Sequence, residues 1–150
     1  MIDPTIRGAD AYDGDDIAQL QLLENEARSA LAGGRGGNRW LAEHPPIGDG
    51  WAGECAEFDV LVAHIGAVVV GYIVAKLGED GILRVDQLWV TPQARENGFG
   101  DALLAGAIDN ARRNGAIAVE GQALPGDRQT KNLYERAGIV ARLITTFRWL

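Results

Sequence analysis

Residues 82–104 read ILRVDQLWVTPQARENGFGDALL, and no other stretch restricts the fold so tightly. An apolar run from Ile82 to Val90 ends at Thr91-Pro92. Proline has no N–H to give to a sheet ladder, so a strand stops there. After Gln93 and Ala94 comes Arg95-x-x-Gly98-x-Gly100, and helical spacing begins at once, with Leu104, Ala107, Ile108 and Ala111 on one face. Glycines let the backbone turn tightly and approach a ligand. The start of the following helix leaves N–H groups unpaired at the positive end of its dipole. Together these make an anion cradle, most naturally for phosphate. The dinucleotide fingerprint requires another glycine where Leu103 stands, and a Walker loop requires a Gly-Lys pair that the chain lacks.

Around this unit the order of elements is simple. Thr5–Ala9 is expected to form a strand. Asp13–Asp16 then supply acids to the start of a helix on which Ile17, Leu20, Leu23, Ala27, Ala30 and Leu31 recur. Gly33–Gly37 breaks that helix, and Trp40–Gly53, rich in Gly and Pro, reads as loop with at most a short helical turn. Val60–Ile65 and Val68–Leu77 read as strands joined at Gly66, and Gly78–Gly81 turns the chain into Ile82–Val90. After the helix Gly100–Asn114 come a strand at Ala116–Gln122, a helix at Arg128–Ala137 stopped by Gly138, and a closing strand at Ala141–Leu150. Three strands joined by tight turns predict an antiparallel meander, and strand–helix–strand after Ile82 predicts a parallel pair. With no repeat and no long linker, residues 1–150 are expected to form one domain of mixed α/β (α+β) class.

Charge narrows the partners. Residues 1–80 hold 14 acidic and 5 basic side chains, residues 81–150 hold 7 and 9, and the net charge is −7. An acidic chain is a poor match for nucleic acid. No basic-then-apolar leader and no apolar run of ~18 residues appears, so neither a signal peptide nor a membrane span is expected. The lone Cys55 fits a reducing compartment, and the expected location is cytoplasmic.

The strand ending in Val90-Thr91-Pro92, then Arg-x-x-Gly-x-Gly and a helix, resembles the acyl-CoA-binding core of the GNAT N-acetyltransferase family. Asn132-Leu133-Tyr134-Glu135-Arg136-Ala137-Gly138-Ile139 is similar to that family's later Leu-Tyr-Glu-x-x-Gly-Phe element. The resemblance runs from Ile82 to about Val140. It implies a single-domain GNAT fold: a mixed, mostly antiparallel central sheet with a splayed parallel strand pair, flanked by helices, with the pantetheine arm entering the splay. It also implies that backbone N–H groups of Arg95, Glu96, Asn97, Gly98, Phe99, Gly100 and Asp101 hold the pyrophosphate. Leu88, Trp89 and Val90 would meet the pantetheine amides as an added strand would. Tyr134 stands at the position of the family's general acid, where a phenol eases departure of the CoA thiolate; core packing on a helix is its alternative role. Asp86, in β-strand context beside Arg84, is the first candidate base and Glu120 the second, each with a structural or acceptor-binding alternative. Two departures stand out: Asp127 and Thr130 replace the usual Asn and small residue, and Ile139 replaces an aromatic. Asp127 is a natural helix N-cap after Pro125-Gly126.

The implied activity is transfer of an acetyl group from acetyl-CoA to a primary amine by direct attack in a ternary complex. The acidic first half favours a cationic small-molecule amine, with Glu54 and Glu57 beside Trp51 as contributors. The alternatives are a non-catalytic acyl-CoA-binding or regulatory module and a protein or peptide N-acetyltransferase. A monomer or homodimer without metal is expected: His44 and His64 are far apart and no His-Glu-x-x-His occurs. Cys55 between Glu54 and Glu57 is a poor nucleophile, because acidic neighbours disfavour the thiolate. Gly33–Gly37 around Arg35 reads as a connector or a lid, and Trp40 and Trp51 as packing or as walls of an acceptor pocket.

Overall fold

The computed structural model describes residues 4–150. Its strands are β1 (Thr5–Gly8), β2 (Asp59–Ile65), β3 (Val68–Leu77), β4 (Ile82–Val90) and β5 (Ala118–Glu120), in that order across one sheet. Its helices are α1 (Gly14–Ala32), α2 (Gly37–Glu43), α3 (Trp51–Glu57), α4 (Phe99–Arg113) and α5 (Arg128–Arg136). The first four strands are antiparallel, as the short turns at Gly66 and Gly78–Gly81 require. Strand β5, reached through α4, is parallel to β4.

The parallel pair is short. Only Ile82, Leu83 and Arg84 pair with Ala118, Val119 and Glu120, and Val85–Val90 continues along β3 alone. Within that unaccompanied half a register shift pairs Val74 with Gln87 and Ala75 with Val85, which leaves Asp86 as the extra residue of a β-bulge.

Each face of the sheet carries its own core. Ile73, Leu83 and Val85 pack with Phe99, Leu103 and Leu104 of α4 and Leu133 and Tyr134 of α5. On the other face Val62, Tyr72 and Val74 pack with Leu20 and Leu23 of α1 and with Trp51. Trp51 is fully buried, its ring edge-on to Tyr72 at 5.4 Å.

Two buried carboxylates attach α1. Asp16 accepts bonds from Arg7 Nη1 at 2.6 Å, Arg7 Nη2 at 2.7 Å and the Asp10 N–H at 3.0 Å, which ties the helix to β1. Glu24 accepts from the Ile47 and Gly48 N–H groups, from Trp51 Nε1 and from Gln87 Nε2, and Gln87 Oε1 accepts from the Tyr72 hydroxyl at 2.6 Å. One side chain thus satisfies donors from the 47–51 connection and from β4.

Three expectations need correction. Trp40–Gly53 is largely helical, containing most of α2, a 3₁₀ turn at Gly48–Gly50 and the start of α3; burial of Trp51 and the Glu24 bonds compensate the loop-like composition. The strand at Ala116–Gln122 shrinks to Ala118–Glu120, because β4 diverges and takes its ladder away. Ala141–Leu150 is not a strand: it is exposed and makes no backbone-to-backbone hydrogen bond with a described residue, so it lacks the ladder that defines one. Among the described residues no helix is long and apolar enough to cross a membrane.

The Arg7 hydrogen bonds to Asp16 outweigh its burial and hold its carboxyl below the usual carboxylate range. A depressed folded-state pKa stabilises the fold above the unfolded value of ~3.9 and loses that contribution as pH falls through the folded value. Asp16→Asn is therefore expected to cost about 2 kcal/mol at neutral pH. Urea unfolding at pH 7 and pH 3 measures this, and the gap between variant and parent should narrow at the lower pH.

Candidate active site

A cleft of about 840 Å³ opens where β4 and β5 part. It is lined by Leu88, Trp89 and Val90, by the 95–101 turn and the start of α4, by Gly33, Gly34 and Arg35, and by Leu124–Asp127 with the first turns of α5. Of the ten residues expected to hold cofactor, nine line this cleft: Leu88, Trp89, Val90, Arg95, Glu96, Gly98, Phe99, Gly100 and Asp101. Asn97 does not; its side chain braces the turn by donating to the Ala94 and Arg95 carbonyls.

The turn is built for exposed donors. Glu96 and Gly98 both have left-handed backbone, at φ 66° and 82°. At Gly98 a Cβ would be strained by that φ and would approach Pro4 at 3.4 Å, which makes glycine the natural residue there. Pro92 starts a 3₁₀ turn that closes on Arg95, and Phe99, 1% exposed, anchors the helix in the core. From Glu96 to Asp101 no backbone N–H has a hydrogen-bond partner among the described residues. Six consecutive free donors thus stand at the start of α4, whereas the N–H of Arg95, also expected among them, is spent on the Pro92 carbonyl. Arg95 is already engaged, its Nε donating to the Val90 carbonyl and its guanidinium 4.5 Å above the Trp89 ring. Asp101 pairs with Arg136 at 3.0 Å and fastens α4 to α5.

Tyr134 is buried in the α4–α5 core, and its ring and hydroxyl lie so close to Gly121, just past β5, that any Cβ there would collide with them. The hydroxyl has no hydrogen-bond partner among the described residues, and burial, with Asp127 second, pushes the phenol up to about 12. Asp127 caps α5, accepting from the Thr130 N–H at 3.2 Å and the Thr130 hydroxyl at 2.7 Å.

None of the three expected catalytic residues, Tyr134, Asp86 and Glu120, lines the cleft. Asp86, on the bulge, pairs with Lys76 at 3.1 Å and not with Arg84; Glu120 pairs with Arg84 at 3.1 Å, at the closed end of the parallel pair. Trp51 is core, Glu54 lies 3.6 Å from Lys76, and neither reaches the cleft. Trp40 stacks on His44. Among the described residues no group of three or more His, Cys, Asp or Glu comes together as a metal site. Gly33–Arg35, read from the sequence as a connector or a lid, do line the cleft, and the sequence reading left out the Leu124–Thr130 segment, which lines it too and approaches the glycine run at Gly36.

Residues 19–139 match the profile of the Acetyltransferase (GNAT) family. No curated protein sequence matches significantly. Similar solved structures include the PaiA N-acetyltransferase of Thermoplasma acidophilum in complex with coenzyme A, at TM-score 0.74 and 16% identity over 91% of this chain and 89% of that one. An aminoglycoside acetyltransferase from an uncultured soil metagenomic sample has TM-score 0.73 and 17% identity over 98% and 95%. A ribosomal-protein-alanine N-acetyltransferase of Brucella melitensis has TM-score 0.69 and 18% identity over 99% of both chains. At these identities the likeness is one of fold.

Cys55 is removed from the chemistry by its surroundings. Burial first, then the nearby Asp16, Glu54 and Asp10, raise its thiol to about 11. At pH 8 its reaction with a disulfide reagent should be roughly a hundredfold slower than that of a free cysteine, since the thiolate is the reactive form. Release of the chromophore measures the rate, which should rise to the ordinary value once the protein is unfolded.

Proposed function

The chain belongs to the GNAT acetyltransferase family, and from that premise we propose that it transfers an acetyl group from acetyl-CoA to a primary amine. The observation that carries this reading is the run of free N–H groups from Glu96 to Asp101, set at the end of a strand whose outer edge is open. Those donors suit a pyrophosphate, and the backbone of Leu88–Val90 on the edge away from β3 suits an extended amide-bearing arm. Acetyl-CoA supplies an activated thioester. Direct attack by the amine in a ternary complex needs a proton acceptor for the amine and a donor for the departing sulfur.

Tyr134 fills the donor role. A phenol at about 12 stays protonated across the working range, and its hydroxyl is free to donate. Because a CoA thiol is the stronger acid, the phenol helps by hydrogen bonding to the developing thiolate, with solvent completing the proton balance. Asp86 is the better of the two base candidates, because it stands on the part of β4 beyond the last β4–β5 pair, whereas Glu120 lies within it. The acceptor is a cationic small-molecule amine, on the strength of the excess acid in residues 1–80. The structural neighbours named for small-molecule and for ribosomal-protein acceptors share this fold, so the fold does not choose between them.

Acetyl-CoA turnover over a panel of amines and peptides tests the reading; binding without turnover on any acceptor would leave a non-catalytic CoA-binding module. Gly98→Asp should weaken acetyl-CoA binding well over tenfold by calorimetry. Gly98→Ala carries the same backbone strain without charge and should weaken it less. Tyr134→Phe keeps the ring and should lower kcat by ~10²–10⁴ with CoA affinity nearly unaltered; turnover within twofold of the parent would return Tyr134 to a packing role. Asp86→Asn should lower kcat and flatten the rising limb of the pH–rate profile. For a cationic acceptor, kcat/KM should fall as salt rises toward 0.5 M, because exposed charges are screened within ~10 Å already at 0.1 M.

A further inference from the structure

We infer that Glu26 selects the acceptor by holding a second, non-reacting cationic group on it, with the Trp89 indole fixing the Glu26 carboxylate beside the cleft. This inference rests on the acetyl-transfer reading and names the side chain behind its preference for a cationic amine. Trp89 lines the cleft, and its indole N–H donates to Glu26 Oε1 at 2.9 Å. Ala30 and Leu31 of α1 line the cleft as well. Glu26 lies four residues before Ala30, one helical turn back on the same face. Its carboxylate therefore stands next to the lining, on an exposed residue that solvent and ligands can reach.

Half of this carboxylate is unused. Oε1 takes the indole N–H, while Oε2 has no hydrogen-bond partner and no Lys or Arg at ion-pair distance among the described residues. Arg28, two residues on, is spent on the His44 and Leu41 carbonyls. Arg95 lies over the Trp89 ring but gives its Nε–H to the Val90 carbonyl. Much of the other acid in residues 1–80 is engaged elsewhere. Asp16 and Glu24 are buried, and Glu43, Glu54 and Asp80 pair with Arg39, Lys76 and Arg84. Among the described acids of that half, Glu26 is the one hydrogen-bonded to a side chain that lines the cleft.

The side of the sheet decides which ligand this carboxylate meets. Leu88 and Val90 pack toward the α4–α5 core, whereas Trp89 packs with the core under α1. The free amides of residues 96–101 suit the phosphates of acetyl-CoA, and a carboxylate would repel the same anion. Glu26, on the α1 side, suits the other substrate, and its sign selects a cation. The reacting nitrogen must be neutral to attack, so a carboxylate that holds a positive charge acts on a different part of the acceptor. The class is an amine bearing a further ammonium or guanidinium group. Either group can donate to Oε2 from solvent while Oε1 stays on the indole. The indole bond also limits the side-chain freedom whose loss weakens most exposed ion pairs.

Acetyl transfer to straight-chain α,ω-diamines of about three to six carbons, each compared with the monoamine of the same length, tests this. The expected result is at least one diamine favoured roughly tenfold or more in kcat/KM. Glu26→Gln keeps an oxygen for the Trp89 indole and removes the charge. It should lower that kcat/KM about tenfold, mainly through KM, with the monoamine and acetyl-CoA KM values within about twofold of the parent. Glu79→Gln removes the same charge in the 78–81 turn, at the far end of β4, and should leave the diamine preference intact. An active parent without a diamine preference, a preference that survives Glu26→Gln, or an equal loss in Glu79→Gln would overturn the inference and leave acetyl transfer standing. A rise in acetyl-CoA KM as large as that for the diamine would place Glu26 behind the cofactor and overturn it too. A parent that binds acetyl-CoA and acetylates no amine or peptide would overturn the acetyl-transfer reading itself, and the inference would fall with it.

Discussion

The divergence of β4 from β5 after Arg84 governs the rest of the molecule. A buried strand must find partners for its N–H and C=O groups on both sides, and here the second half of β4 finds them on one side only. The other side is left as a row of polar groups at the bottom of a cleft. The cleft gathers the free amides of residues 96–101 at the end of that row, and the glycine run and the start of α5 line it too; Tyr134, against Gly121, lies behind the lining. A fully zipped parallel pair would satisfy the strand and abolish the site.

The two faces of the sheet divide the work. The α4–α5 face holds Tyr134 and the start of α4, with Phe99 and Leu133 packed in the same core. The α1–α3 face holds most of the acid and the bulge at Asp86. Its carboxylates are not interchangeable. Asp16 and Glu24 are structural and fully engaged, whereas Asp86 is half-exposed and paired with Lys76. A count of charges along the chain merges these into one acidic half, and the structure separates them into anchors and candidates.

The unit from Ile82 to Leu104 was legible because its signals are local. Proline ends a ladder, glycine permits a left-handed turn, and a helix start exposes donors, all within a few residues. The meander was legible for the same reason, through alternation and short turns. What could not be read depends on distant partners. Trp51 read equally as packing or as a pocket wall, because nothing near it announces Glu24 or Tyr72. Asp86 invited pairing with its strand neighbour Arg84, but the bulge sets it against Lys76 on β3. Residues 141–150 have every local property of a strand and still lack one, since a strand is defined by its neighbour and not by its own sequence. The Gly33–Arg35 and Leu124–Thr130 linings of the cleft belong to segments about ninety residues apart, beyond any pattern in a window.

The Glu24 cluster has a consequence for how the protein opens. Ile47 and Gly48 belong to an irregular connection, a kind of segment that usually exchanges its amides quickly because it unfolds alone. Here both amides end on a carboxylate that is also bonded to Gln87 in the middle of β4. Releasing the connection means exposing a buried charge and breaking into the sheet, so this stretch cannot fray by itself. It is stitched to β4, and α1, which carries Glu24, is held there with it.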